Sequence, residues 1–158
     1  MGIQQVQAHF EQFNMADKIF EHTVSTATVQ EAADALGVIP ARIAKTLSFK
    51  LNDTAVLIVA AGDAKIDNPK FKAQFGVKAK MLTPEEVEHF TGHQIGGVCP
   101  FGLAQPIAVY LDESLKRFDT VFPACGTASS SVELTLAQLE EISLAAGWID
   151  VAKGWQEA

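Results

Sequence analysis

The stretch from Thr46 to Ala61 constrains the fold of this chain more than any other. Leu47, Phe49 and Leu51 alternate with polar Thr46, Ser48 and Lys50, the period-two signature of a half-buried strand. Asn52 and Asp53 supply a turn signal, and Ala55 to Ala61 is apolar throughout, as expected of a buried partner strand. The pair reads as a hairpin.

Helical patterns flank it on both sides. Val6, Phe10 and Phe13 recur at helical spacing, predicting an amphipathic helix from Gln4 to Asn14 and then a short strand around Ile19 to His22. Thr28 and Glu31 form a capping box for a helix that ends at Leu36, with Gly37 as its left-handed stop, and Pro40 is expected to open one more helical turn through Ala44. Asn68 and Pro69 start a helix through Phe75 that Gly76 ends. Thr83 and Glu86 form a second box before a helix stopping near Gly92. Ile107 to Leu111, Thr120 to Phe122 and Val132 to Leu134 read as strands. Thr135 and Gln138 cap a last helix with Leu136, Leu139, Ile142 and Ala146 on one face and Gly147 at its end. Helices and strands are interleaved with hairpins among them, which predicts a mixed α/β fold instead of strict βαβ alternation. With no repeat and no linker, residues 1–158 are expected to form one domain.

Composition excludes several classes. Apolar residues at 48% and charged residues at 20% rule against disorder and coiled coil. The longest apolar run, Ala55 to Ala61, falls far short of the roughly 20 residues that span a bilayer, and no signal-peptide pattern opens the chain, so a soluble cytoplasmic protein is expected. Cys99 and Cys125 are too few for a disulfide framework or a zinc site and are read as reduced thiols. A net charge of −7 argues against a broad nucleic-acid surface, DNA included, while leaving room for contact with one nucleotide end. Lys65, Lys70, Lys72, Lys78 and Lys80 cluster, with Lys45 and Lys50 upstream. This pattern suits either a basic face or a solvated helix surface.

The segment from Gly96 to Gly102 carries three glycines and Pro100, so it specifies irregular backbone: either a tight turn between strands or a loop that presents N–H groups to a ligand. Cys99 within it reads as a small packed residue or, given a basic neighbour, a nucleophile. His89 and His93 stand four apart, but Gly92 interrupts their helix, which favours a surface pair over a metal site; His22 reads as structural. Ser129, Ser130 and Ser131 form a hydroxyl-rich segment that either binds a substrate's amino group or ribose or closes a local turn. Lys45 sits at the start of the alternating strand, where an ammonium either is solvated or reaches into a cleft to meet a phosphate or oxyanion.

Taken together, His22, Thr28 to Val38, Ala44 to Leu47, Gly62, Asp63, Asp67, Thr91, Gly92, Gly96 to Gly102, Asp112, Glu113, Gly126 and Val132 to Leu134 resemble the YbaK/prolyl-tRNA synthetase-associated editing domain family. The resemblance covers most of the chain in the family's order. It implies a twisted, barrel-like mixed sheet surrounded by helices, and hydrolysis in trans of the ester linking a wrong amino acid to its transfer RNA. It also implies an essential Lys45 and a Gly-x-x-x-Pro substrate loop of Gly96, Gly97, Val98, Cys99 and Pro100, with no metal or organic cofactor. On this reading Lys45, Gly96 and Gly97 are catalytic. Val29, Thr46, Val98, Cys99, Pro100, Gly126 and Ser129 to Ser131 contact the substrate, the aminoacylated 3′ end, and a synthetase is a further candidate partner. The segment after Gly126 departs from members with basic residues or Asp there, so alanine, serine, threonine and cysteine all stand as candidate amino acids. A non-catalytic module for the aminoacyl end and a small amino-acid esterase are the competing readings.

Overall fold

The computed structural model describes residues 2–155. Its helices are α1 (Gly2–Glu11), α2 (Val29–Leu36), α3 (Asn68–Phe75), α4 (Pro84–Thr91) and α5 (Leu136–Ile142). Its strands are β1 (Phe20–Glu21), β2 (Ile43–Leu51), β3 (Thr54–Ala61), β4 (Lys65–Ile66), β5 (Ala108–Asp112), β6 (Thr120–Pro123), β7 (Ser130–Ser131), β8 (Leu134–Thr135), β9 (Gly147–Ile149) and β10 (Ala152–Lys153).

The expected hairpin is the centre of the molecule. β2 and β3 pair antiparallel from Ala44↔Ala61 to Leu51↔Thr54 around the Asn52-Asp53 turn. They occupy the middle of a six-stranded sheet of order β8-β6-β2-β3-β5-β9, in which β2/β6, β3/β5 and β5/β9 run parallel. The sheet curls into a half-barrel flanked by helices, the expected mixed α/β architecture. Val56 to Ala61 are at most 1% exposed, so β3 is covered on both faces. On one face Leu57 and Val59 join Val6 and Phe10 of α1 and Leu139 and Ile142 of α5. On the other, Val56 and Ile58 meet Phe49 and Phe71 of α3. Two small ribbons, β1/β7 and β4/β10, stand outside the main sheet.

Capping boxes form where expected, at Thr28/Glu31, Thr83/Glu86 and Thr135/Gln138, and Gly37, Gly76 and Gly92 close their helices in the left-handed region. Boundaries differ elsewhere. The turn opened by Pro40 is 3₁₀ and ends at Arg42, so β2 begins at Ile43 and Lys45 lies inside the strand instead of at a helix–strand junction. The last helix stops at Ile142, and Gly147 opens β9 instead of ending a helix. The predicted strand Val132 to Leu134 is split, with β7 before it and β8 at its end. No helix among the described residues is long and apolar enough to cross a membrane.

Asp112 locks the sheet to its outer ribbon. Its fully buried carboxylate accepts from Ser114 N–H and Val151 N–H, both at 2.9 Å, while Ser114 Oγ accepts from Ala61 N–H at 3.0 Å. Asp112→Ala would leave two buried donors without an acceptor, and an unsatisfied donor costs about 1–3 kcal/mol. We expect urea denaturation to show a loss of about 2–5 kcal/mol, with Asp112→Asn less damaging because its amide oxygen keeps one acceptor.

Candidate active site

Lys45 leaves β2 beside the turn that follows β3, because the register places Ala44 opposite Ala61. Its Nζ donates to the carbonyl of Gly62 at 3.3 Å and to that of Ala64. Gly62 is the only residue type that fits here: a Cβ would lie 2.1 Å from Pro40 O and 2.7 Å from Val29 Cγ1. One bare backbone position thus packs α2 against the turn that holds the lysine.

Burial lowers the pKa of the half-buried Lys45 ammonium; nearby Asp63 opposes that shift and Lys65 adds to it. Asp63 does not touch the lysine. Arg117 holds both of its oxygens, at 2.6 and 3.0 Å, and this pairing keeps the Asp63 carboxyl below its ordinary pKa. Carbonyl dipoles therefore position the Lys45 charge, with no carboxylate in contact to neutralise it.

Lys45 borders a largely apolar cavity of about 210 Å³. Its walls include Val29 and Ala32 of α2, Thr46 and Ser48 of β2, Val87 of α4, Gly96 and Val98 of the glycine-rich loop, and Ser130 and Ser131 of β7. The loop joins α4 to β5, so it is not a turn between two strands. Two bonds fix it: Gly97 N–H donates to Gln94 O, and Gly126 N–H donates to Gly97 O, each at 3.0 Å. A Cβ on Gly97 would come within 2.5 Å of Thr127 N, so the two segments touch backbone to backbone. The N–H groups of Gly96 and Val98 have no partner among the described residues.

Seven of the sequence-predicted site residues, Val29, Lys45, Thr46, Gly96, Val98, Ser130 and Ser131, meet at this cavity. The others lie behind it. Gly97 and Gly126 form the backbone tie, and Cys99 is in the hydrophobic core. Pro100 borders a separate groove beside His9. Ser129 takes part in a local turn, its N–H donating to Thr127 Oγ1 at 3.3 Å and its carbonyl accepting from His22 N–H at 2.7 Å. Sequence reasoning missed Ala32, Ser48 and Val87. Ser48 was findable: it shares with Thr46 the polar phase of β2, and that phase faces the cavity.

Cys99 cannot act as a nucleophile in this arrangement. Its Sγ lies 3.6 Å from His93 Nε2, but that nitrogen donates its proton to Phe101 O at 2.7 Å and has no lone pair for the thiol. Burial pushes the Cys99 thiol up to about 12 and lowers the pKa of His93, so both groups are neutral. His93 is 1% exposed, which corrects the expected surface pair with His89. Its Nδ1 is a buried acceptor with no partner. His22 is structural, as expected: its Nε2 meets Ser131 Oγ at 2.6 Å.

Residues 23–142 match the model of the aminoacyl-tRNA editing domain. The chain belongs to that family. This editing domain is 55% identical to the uncharacterized protein YwhH of Bacillus subtilis (strain 168), over 99% of the chain and 100% of that relative. It is 30% identical to the proline–tRNA ligase of Geobacillus sp. (strain WCH70) over 106 residues, which make up 66% of the chain but only 18% of the ligase. Among solved structures it superposes on a proposed trans-editing enzyme for prolyl-tRNA synthetase with a TM-score of 0.87 and 33% identity, covering 97% of this chain and 98% of the other. The editing domain thus matches a small part of a synthetase and the whole of free-standing proteins.

Two measurements follow from the buried Cys99 and His93. Iodoacetamide at pH 8 should leave both thiols of the native protein unmodified and alkylate both in urea, as read by mass spectrometry; Cys125 is also buried, its pKa well above the ordinary value. The folded-state pKa of His93 lies below the ordinary value near 6.5, so the unfolded chain binds its proton more tightly. Its contribution to stability is intact above about pH 6.5 and is lost as pH falls through the folded pKa. Melting temperature should therefore drop from pH 7 to pH 5, and less steeply in His93→Gln. Some slope will persist, because burial lowers the His22 pKa as well.

Proposed function

We propose that this editing domain, acting as one unit in the cytoplasm, hydrolyses the ester of mischarged aminoacyl-tRNA in trans. The observation that carries the reading is the placement of Lys45, Gly96 and Val98 on the border of one cavity. A water oxygen attacks the ester carbonyl carbon, the carbonyl oxygen becomes an oxyanion, and collapse expels the ribose oxygen. The products are a free amino acid and a transfer RNA with a restored hydroxyl. An aminoacyl ester is already activated, so positioning and oxyanion stabilisation suffice without an enzyme nucleophile.

The donor assignment follows from the hydrogen bonds. Gly97 N–H is engaged with Gln94, so the oxyanion donors are Gly96 and Val98, with Gly97 as the residue that sets the loop against Thr127. Lys45 holds the terminal phosphate or ribose, or stabilises developing negative charge. Among the described residues no carboxylate lines the cavity, which favours a ribose hydroxyl of the substrate as the group that orients the water. Val29 and Val98 both line the cavity, where their side chains would limit by steric clash the size of the side chain admitted. The same lack of a carboxylate supports a second reading, a non-catalytic module for the aminoacyl end, with a synthetase as partner.

Transfer RNAs charged with alanine, serine, threonine and cysteine test the two. Release of at least one amino acid is expected, with Lys45→Ala slower by about 10²-fold or more and Cys99→Ser close to wild type. Tight binding of a non-hydrolysable aminoacyl analogue without turnover of any true ester would favour the binding module.

A further inference from the structure

Lys65 and Lys153 face each other directly in the β4/β10 ribbon, whose register consists of this pair and Ala152↔Ile66. Like charges at such a position destabilise a ribbon. Both lysines are exposed, and neither takes part in an ion pair among the described residues. Among the described residues, the carboxylates that neighbour them in sequence are already engaged: Asp63 by Arg117 at 2.6 Å, Asp150 by Lys70 at 3.0 Å, and Asp67 as the cap of α3, accepting from Lys70 N–H at 3.0 Å.

The ribbon is held firmly in this costly arrangement. Asp67 N–H donates to Val151 O at 2.8 Å, and Val151 N–H donates to the buried Asp112. Lys65 follows Ala64, whose carbonyl accepts from Lys45 Nζ, and its charge disfavours that of Lys45, so the ribbon begins at the edge of the candidate site. This happens in a chain with 19 acidic and 12 basic residues, where an ion-pair partner for each lysine is easily supplied. A bound polyanion resolves the repulsion. Directly opposed side chains start about 5 Å apart at Cβ, so two lysine ammoniums can meet on one phosphodiester.

We propose that the β4/β10 ribbon, through Lys65 and Lys153, docks the phosphate backbone of an RNA strand and leads its 3′ end to Lys45. The inference rests on the deacylase reading for the identity of the polyanion, and it assigns to that activity a phosphate-binding surface outside the cavity.

Binding of an RNA acceptor-stem hairpin ending in CCA, followed by fluorescence anisotropy from 50 to 300 mM NaCl, tests it. Each phosphate contact contributes roughly 0.7–0.9 to the slope of log K against log salt. Lys65→Ala/Lys153→Ala removes both cations from that one phosphate and should therefore flatten the slope by about 0.7–0.9 and weaken binding at low salt at least several-fold. Lys18→Ala, at a lysine that borders a separate groove together with Phe20 and Thr120, should change neither. In deacylation the double variant should raise KM for charged RNA with kcat preserved and leave hydrolysis of an aminoacyl-adenosine, which keeps the ribose hydroxyl but lacks the phosphate backbone, unchanged. Lys153→Glu should raise the melting temperature while weakening RNA binding, a combination that a purely structural lysine would not give. An unchanged slope and affinity in the double variant overturns the docking surface, even if wild-type deacylation is robust. Conversely, absent turnover with a slope that depends on Lys65 and Lys153 leaves the docking surface standing and removes only the deacylase reading.

Discussion

Burial of β3 on both faces is the constraint on which the remaining structure depends. A strand with Val56 to Ala61 almost wholly removed from water needs a layer on each side. α1 and α5 supply one and α3 the other, while β2 and β5 satisfy its backbone in opposite orientations. Because β3 ends at Ala61, the Gly62–Ala64 turn emerges at a fixed height above the sheet, and its carbonyls become the seat of Lys45. The candidate site is thus a by-product of where a fully buried strand stops.

The chemistry available there is that of positioned dipoles and one cation. The buried thiols and His93 are neutral, and Arg117 withdraws Asp63 from the lysine. Low polarity in the cavity strengthens every remaining electrostatic contact, including those from the Gly96 and Val98 amides. Such a site asks little of side-chain acid–base chemistry and much of backbone placement: Gly97 sits against Thr127, and Gly96 beside Ala27 and Ala128.

Much of this was legible in the sequence, because the signals were local. The hairpin came from period-two alternation, the three capping boxes from Thr-x-x-Glu and Thr-x-x-Gln, and the helix stops from glycine. What local pattern could not reveal was decided by distant partners. β4, β9 and β10 are two or three residues long and exist through pairing with each other and with β5. α5 ends early because the chain turns at Leu144 in the left-handed region to reach β5. Cys99 reads as part of the loop in one dimension, but its neighbour Phe101 packs edge-on against Phe10 at 4.8 Å, drawing that stretch into the core. Lys45 could be singled out by type and position, while its carbonyl seat depends on a register that only the folded hairpin supplies.

The tie between Gly126 N–H and Gly97 O joins the glycine-rich loop to the serine segment, so two walls of the cavity meet backbone to backbone. Lengthening or shortening either segment would break that bond and push a backbone already at contact distance. Loop length is therefore closed to evolution as a means of reshaping the cavity. The open route is exchange of individual side chains on the surrounding elements, Ala32, Ser48, Val87 and Val98 among them. Lineages sharing this frame can reshape the cavity through single codon changes while the Lys45 seat and the glycine-rich loop stay the same.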